Sequence, residues 1–143
     1  MNTVDGPSSN LADPAAVWWI LLIDDMEQIR TPLARLLRRR GHRVHEAAHG
    51  AEALAYLEDH AAEVALILLD LVMPVMDGWR FRELQLRHLV YAGIPTVVFT
   101  SILPDARTRS LLRAEDYLTK PITFDRLLAV TERFCRLSHA PTA

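Results

Sequence analysis

The sequence lacks the features that stabilise small secreted proteins or anchor proteins in membranes. Its one cysteine, Cys135, excludes an internal disulfide and a metal site built from cysteines. Its longest apolar run covers residues 17–23, whereas a helix that crosses a bilayer needs about 20 apolar residues. The chain also shows no secretory leader, in which a basic and an apolar region precede small residues. We therefore expect a cytoplasmic protein that makes no contact with a membrane.

A surplus of positive charge is also missing. The chain has 16 lysines and arginines against 18 acidic residues, a net charge of −2, which is not the footprint of a nucleic-acid partner. With 143 residues, half of them hydrophobic, it is long enough for one domain with a single core. We expect a flexible tail over residues 1–16, the domain over 17–138, and a short tail over 139–143 with no output domain.

Two apolar segments of the sequence end in carboxylates. Residues 17–23 lead into Asp24 and Asp25, and residues 66–69 lead into Asp70. An uninterrupted apolar run of this length is typical of a strand that is buried on both faces of a parallel sheet. In such a sheet the ligand binds at the carboxyl ends of the strands, so these acids occupy the expected functional edge.

Segments with helical periodicity separate the predicted strands. The first of them contains Pro32, so it either starts late, with Thr31 as its cap, or runs from about residue 26 with a kink. The third, residues 79–88, has three apolar positions, which are Phe81, Leu84 and Leu86.

Five strands that alternate with five helices predict an α/β fold, a doubly wound parallel sheet with helices on both faces. The common order of such a five-stranded, flavodoxin-like sandwich is 2-1-3-4-5, which places the first and third strands side by side. Asp24, Asp25 and Asp70 then converge at one edge. Thr100 and Lys120, which follow the fourth and fifth predicted strands, arrive at the same edge.

The convergence of three acids favours a bound divalent cation, because neighbouring carboxylates repel one another. Oxygen ligands without histidine or cysteine indicate Mg²⁺, with Mn²⁺ as an alternative. The ammonium group of Lys120 and the hydroxyl of Thr100 suit a phosphoryl ligand. The set therefore predicts a phosphoryl-transfer site, in which Asp70 is the nucleophile that forms an aspartyl phosphate.

These residues closely resemble the receiver domain of two-component response regulators, in particular single-domain receivers like the chemotaxis regulators. The resemblance rests on four stretches in the family's order: Asp24-Asp25, residues 70–78 (Asp-Leu-Val-Met-Pro-Val-Met-Asp-Gly), Thr100-Ser101, and residues 117–121 (Tyr-Leu-Thr-Lys-Pro). It covers about residues 17–138, and it implies the same sheet order of 2-1-3-4-5.

The resemblance implies a role for each acid at the site. Asp70 accepts a phosphoryl group from a phosphohistidine on a sensor histidine kinase or a histidine phosphotransfer protein. Asp24, Asp25 and Asp70 hold Mg²⁺ together with the backbone carbonyl of Val72, and Lys120 pairs with the phosphoryl oxygens. The protein is then a phosphoacceptor and not an enzyme that turns over an external substrate.

The resemblance also implies a conformational switch. Thr100 closes over the phosphoryl group, Tyr117 turns inward, and a cis bond between Lys120 and Pro121 aims the lysine. The surface formed by the fourth helix, fifth strand and fifth helix changes with phosphorylation, contacts a downstream protein target, and can support a homodimer. Arg113 stands where the family usually has a helix-ending glycine, so we expect a fourth helix that is short, shifted or loose.

Two other functions are compatible with parts of this pattern. A phosphatase with an aspartyl nucleophile would normally carry a second acid two residues after Asp70, where this chain has Val72. A degenerate receiver would bind partners without being phosphorylated, but the complete set of acids argues against it.

Overall fold

A computed structural model describes residues 18–139 of the chain. Within that range, five strands alternate with five α-helices. In chain order they are β1 (Trp19–Ile23), α1 (Glu27–Arg39), β2 (Arg43–Ala47), α2 (Gly50–His60), β3 (Val64–Leu69), α3 (Gly78–Arg87), β4 (Thr96–Thr100), α4 (Ala106–Leu112), β5 (Asp116–Thr119) and α5 (Phe124–His139). The tails predicted over 1–16 and 139–143 lie outside the described residues, except that residue 139 is the last residue of α5.

The five strands form one parallel sheet in the order β2-β1-β3-β4-β5, which confirms the predicted topology. Ile23, the last residue of β1, pairs with Ala47 on one side and with Leu69 on the other. At the other side of the sheet, Thr100 pairs with Thr119. The residues that follow β1, β3, β4 and β5 therefore meet at one edge.

The core has one apolar layer on each face of the sheet. Ile20 and Leu22 of β1 pack under α1 and α5, whereas Leu21 and Ile23 pack under α2, α3 and α4. All four side chains are fully buried, and each contributes about 2 kcal/mol to the free energy of unfolding through removal of apolar surface from water. This burial on both faces fixes the register of the strands that carry the acids.

Helix α1 begins at Glu27 and contains Pro32 in its interior. Of the two alternatives that the sequence left open, the structure therefore has the early start. Proline has no backbone N–H to donate to the preceding turn, so the helix lacks one hydrogen bond at this position.

Helix α4 has seven residues and ends at Leu112, and the next residue, Arg113, lies in the left-handed region with φ 52°. This is the conformation that favours glycine at a helix end, so the arginine is strained where the family usually places glycine. The predicted shortness of this helix is confirmed. Its order in solution stays a prediction.

Helix α3 buries two polar side chains that the apolar pattern did not select. Arg82 and Gln85 are 2% and 0% exposed and lie beside Phe81, whereas the predicted apolar positions Leu84 and Leu86 are half-buried. The buried residues recur three and four positions apart, so the most buried stripe of this helix is partly polar.

Candidate functional site

Three acids lie together at the carboxyl edge of the sheet. Asp24 and Asp25 follow β1, Asp70 follows β3, and these two strands are neighbours in the sheet. One carboxylate oxygen from each acid lies within 4.8 Å of the other two. Among the described residues this is the one group of three or more acids, histidines or cysteines that is compact enough to hold a metal ion. The predicted convergence of the acids is therefore present in the structure.

Lys120, which follows the edge strand β5, lies beside these acids. Its Nζ lies 3.1 Å from Oδ2 of Asp24 and 3.2 Å from Oδ1 of Asp70. The backbone N–H of Lys120 donates to the carbonyl of Thr100 at 2.8 Å, which extends the pairing of β4 with β5 by one residue. The bond from Lys120 to Pro121 is cis, as predicted. The ammonium group thus faces both carboxylates.

The electrostatics of the group are governed by burial. Asp70 is 4% exposed, and desolvation together with the charge of Asp24 raises its pKa to about 6, although Lys120 acts in the opposite direction. One cation is therefore too little to compensate the acids of this pocket. Additional positive charge would stabilise the ionised form of Asp70.

Backbone and side-chain hydrogen bonds fix the loop after β1. The Oδ1 of Asp24 accepts from the backbone N–H of Met26 at 3.0 Å, and its carbonyl accepts from the guanidinium of Arg30 at 2.7 Å. Arg30 is held in turn by Glu46 at 2.9 Å. The other oxygen of the Asp24 carboxylate is thereby left to Lys120.

The loop after β3 is folded tightly against its own beginning. The N–H of Gly78 donates to the carbonyl of Leu71 at 2.9 Å, and a Cβ added to Gly78 would lie 2.7 Å from the Cα of Leu71. Asp77 caps α3 by accepting from the N–H of Arg80 at 2.9 Å. Glycine is required at 78 because the chain passes too close to the residues beside Asp70 for any side chain.

A pocket of about 590 Å³ opens beside the acids. Asp25, Asp70, Thr100 and Lys120 form its polar wall. Most of the remaining wall is apolar: Met26, Leu71, Val72, Trp79, Ile102, Leu103 and Pro104. Thr100 is buried and lines the pocket together with Asp70, whereas Val72, another lining residue, is 76% exposed. The pocket therefore combines charged groups, which suit a small charged ligand, with a largely apolar wall.

Tyr117 does not line this pocket. Its hydroxyl donates to the carbonyl of Arg109 in α4 at 3.3 Å, and the Arg109 guanidinium lies 4.5 Å from the centre of its ring. The predicted switch tyrosine is thus attached to α4 in this structure. Its movement on phosphorylation stays a prediction.

The donor set fits magnesium. The three acids offer oxygen ligands only, which hard divalent cations prefer, and the uncompensated charge at Asp70 favours a cation. Val72 belongs to the same pocket, but the ligand role of its carbonyl is not tested by this arrangement and stays a prediction.

Sequence reasoning missed several residues around the site. Arg30 holds the Asp24 carbonyl, and the apolar walls come from Trp79, Ile102 and Leu103. The signal for Arg30 was its position on the first turns of α1, directly after the acids. Nothing in the local pattern distinguishes the wall residues from other exposed apolar residues.

No helix among residues 18–139 combines the length and the apolar character that crossing a membrane requires.

Fold and site together define a class, a doubly wound α/β domain with an acidic pocket at the carboxyl edge of its parallel sheet. The model of the response regulator receiver domain matches residues 20–132. The chain belongs to this family, whose members act in two-component signalling.

Similar proteins include a sensor kinase and chemotaxis regulators. The chain is 36% identical over 111 residues to the sensor kinase CckA of Brucella abortus, a match that covers 76% of this chain and 11% of the kinase. The structure of chemotaxis protein CheY4 from Vibrio cholerae is similar with a TM-score of 0.75 and 29% identity, over 83% of this chain and 99% of CheY4.

A further solved structure contains a metal. The receiver domain of the sensor histidine kinase PA1611 from Pseudomonas aeruginosa has a magnesium ion coordinated in its active site cleft. It is 26% identical to this chain, with a TM-score of 0.73, over 83% of this chain and 98% of that domain.

Proposed function

We propose that Asp70 is a phosphoacceptor that receives its phosphoryl group from a phosphohistidine on a sensor histidine kinase or a histidine phosphotransfer protein. The observation that carries this proposal is the position of Lys120, which bridges Asp70 and Asp24 at 3.2 and 3.1 Å. A cation beside the nucleophile is placed to neutralise phosphoryl oxygens as they arrive. Membership of the receiver family supports the same role.

In this reaction the phosphoryl group passes from an imidazole nitrogen to a carboxylate oxygen, and the protein mainly positions these two groups. A carboxylate oxygen of Asp70 attacks phosphorus, the bond from phosphorus to the imidazole nitrogen breaks, and its electron pair stays on that nitrogen. The product is an acyl phosphate on Asp70. Lys120 pairs with the phosphoryl oxygens, and the hydroxyl of Thr100 donates a hydrogen bond to them.

Asp24, Asp25, Asp70 and the backbone carbonyl of Val72 would hold Mg²⁺, or Mn²⁺, in this site. The metal would supply positive charge that stabilises the transferring phosphoryl group. The oxygen-only donor set and the raised pKa of Asp70 support this assignment, as does the magnesium in the related PA1611 domain.

The phosphorylated form would signal through a changed surface. Thr100 moves toward the phosphoryl group, Tyr117 leaves Arg109 and turns inward, and α4, β5 and α5 present the result to a downstream protein partner. The contact of Tyr117 with Arg109 supports this sequence, because it attaches the predicted switch residue to the helix that would move. The same face would carry a homodimer.

We also propose that the protein is a phosphoacceptor and not a turnover enzyme, that it acts in the cytoplasm, and that it contacts neither nucleic acid nor membrane. The near balance of acidic and basic residues supports the absence of nucleic-acid binding.

The test is labelling of the purified chain by phosphoramidate, a small donor with a phosphorus–nitrogen bond, followed by intact-mass measurement. We expect one phosphoryl group on the wild type in Mg²⁺ and none in the presence of EDTA. Asp70→Asn should lose the label, and the matched control Asp59→Asn, an exposed acid on α2, should keep it. Labelling of Asp70→Asn at the wild-type rate contradicts the proposal. An unlabelled wild type favours a binding module that acts without phosphorylation.

A further inference from the structure

A second concave surface lies between α3 and α4, next to the pocket of Asp70. It encloses about 520 Å³. Trp79, Leu86 and Leu111 supply its apolar surface, and Arg87 and Arg113 stand at its rim. Trp79 is 39% exposed and Leu111 72% exposed, so two large apolar side chains face solvent here. We call this surface the α3–α4 groove.

A buried polar network holds the two walls of the α3–α4 groove together. The guanidinium of Arg82, on α3, donates to the carbonyls of Leu112 and Arg113, both at 2.7 Å, at the end of α4. It also donates to Gln85 at 2.8 Å and to Thr96 at 3.0 Å. Arg82 thus caps the C-terminus of α4 from a neighbouring helix. A groove whose walls are fixed in this way needs little reordering to bind a ligand.

The segment of sequence that contains α3 and α4 carries more positive than negative charge. Residues 78–113 contain six arginines against two acids, Glu83 and Asp105, although the whole chain has a net charge of −2. Five of these arginines are exposed: Arg80, Arg87, Arg107, Arg109 and Arg113. Glu83 already pairs with Arg80 and Arg87, at 2.9 and 3.0 Å. Among the charged residues that line the groove, three arginines (Arg82, Arg87 and Arg113) stand against one acid, Glu83.

We propose that the α3–α4 groove binds an acidic amphipathic helix of a partner protein. The apolar residues of the groove match the apolar stripe of such a helix, and the surrounding arginines match acidic residues on its flanks. A strand is a poorer occupant, because the groove is lined by helix side chains and its terminal carbonyls at Leu112 and Arg113 already accept from Arg82.

The α3–α4 groove is connected to the proposed phosphoacceptor site through one residue. Trp79 lines both the groove and the pocket around Asp70. This inference names the chemistry of the downstream partner, and in that respect it rests on the proposed function. The groove itself is inferred from shape and charge in the unphosphorylated chain, so binding is measured in that form.

The probe is a designed helical peptide with leucines at positions i, i+3, i+4 and i+7 and glutamates at most other positions. Its affinity for the full chain is measured by calorimetry, and its position is mapped by amide chemical shifts. We expect shifts concentrated on α3 and α4. The same peptide with lysines in place of the glutamates should bind about tenfold more weakly or not at all.

Two pairs of variants locate the contact. Leu111→Asp places a charge on the apolar surface of the groove and should weaken binding by about tenfold or more. Its control is Leu89→Asp, at a leucine that is 98% exposed outside the groove. The affinity of this control should stay within about twofold of the wild type. Arg87→Glu should also weaken binding, and Arg35→Glu, an exposed arginine of α1, should not. If Leu111→Asp fails to fold, the arginine pair decides.

Three results would overturn the inference: no binding to the wild type, equal effects of Leu111→Asp and Leu89→Asp, or equal affinity for the acidic and the basic peptide. Labelling of Asp70 is measured separately in the same samples. A wild type that is labelled but does not bind the acidic peptide refutes the groove alone, and a wild type that binds the peptide but is not labelled refutes the phosphoacceptor alone.

Discussion

The ammonium group of Lys120 lies 3.2 Å from Oδ1 of Asp70, although β4 separates the two strands that these residues follow. The same ammonium group is shared with Asp24 at 3.1 Å, so one positive charge serves two buried carboxylates. Burial and Asp24 outweigh it, and the pKa of Asp70 is raised to about 6. One ammonium group does not compensate the carboxylates of this pocket. This uncompensated negative charge is the physical basis of the predicted metal requirement.

The raised pKa of Asp70 predicts a pH dependence of stability without metal. Between its ordinary value of 3.8 and about 6, the folded protein holds a proton on Asp70 that the unfolded chain releases. The free energy of unfolding should therefore fall as the pH rises through this window, and Mg²⁺ should reduce the fall. Urea denaturation at several pH values measures it. The prediction fails if Asp70→Asn shows the same fall as the wild type.

Gly78→Ala should destabilise the protein by about 2 kcal/mol or more, because its Cβ would lie 2.7 Å from the Cα of Leu71 and would displace the backbone next to Asp70. Gly93→Ala is the matched control, since nothing lies within 4 Å of the added Cβ. Its stability should change by less than about 0.5 kcal/mol. Chemical denaturation of both variants checks this. Equal stabilities would show that the loop after Asp70 is free to shift.

Arg82→Met should lower the free energy of unfolding by about 3 kcal/mol, because it removes the donor for the carbonyls of Leu112 and Arg113. Amide hydrogen exchange should increase most in α4, whose seven residues are too few to be stable alone. The control Arg80→Met, which breaks only an exposed ion pair with Glu83, should change stability by less than about 1 kcal/mol. Unchanged exchange in α4 would count against the capping role of Arg82.

Arg113→Gly should raise the free energy of unfolding by about 1 kcal/mol, since its φ of 52° strains any residue with a Cβ. The carbonyl that accepts from Arg82 is kept in this variant. Arg107→Gly, in the first turn of the same helix, should instead lower it, by up to about 1 kcal/mol. Thermal unfolding measures whether each variant is more or less stable than the wild type. A destabilised Arg113→Gly would mean that the arginine side chain contributes more than its backbone costs.

The strands and the acids at their ends could be predicted from short-range signals in the sequence, whereas the order of the strands came from the common order of such folds and from the family resemblance. Strands buried on both faces are uninterrupted apolar runs, and Asp24, Asp25 and Asp70 stand directly after two of them. Parallel connection then brings their ends to one edge. The position of Lys120 follows from the same rule applied to β5.

The polar stripe of α3 could not be predicted in this way. Arginine and glutamine are normally exposed, so the pattern assigned the apolar positions to Leu84 and Leu86. Arg82 and Gln85 are buried because their hydrogen-bond partners come from distant residues: Leu112, Arg113, Tyr91 and Ile94. Only the assembled fold brings these carbonyls beside α3. The α3–α4 groove depends on that network, so it could not be predicted from the sequence either.

The most direct test of the central claim is to locate the phosphoryl group on the chain. Wild-type protein is phosphorylated in Mg²⁺ and reduced with borohydride, which converts an aspartyl phosphate to homoserine, and its peptides are sequenced by mass spectrometry. We expect homoserine at position 70 alone, and none when EDTA replaces the metal. Homoserine at another aspartate, or phosphate that resists borohydride on a serine, threonine or histidine, would contradict the assignment of Asp70 as the phosphoacceptor.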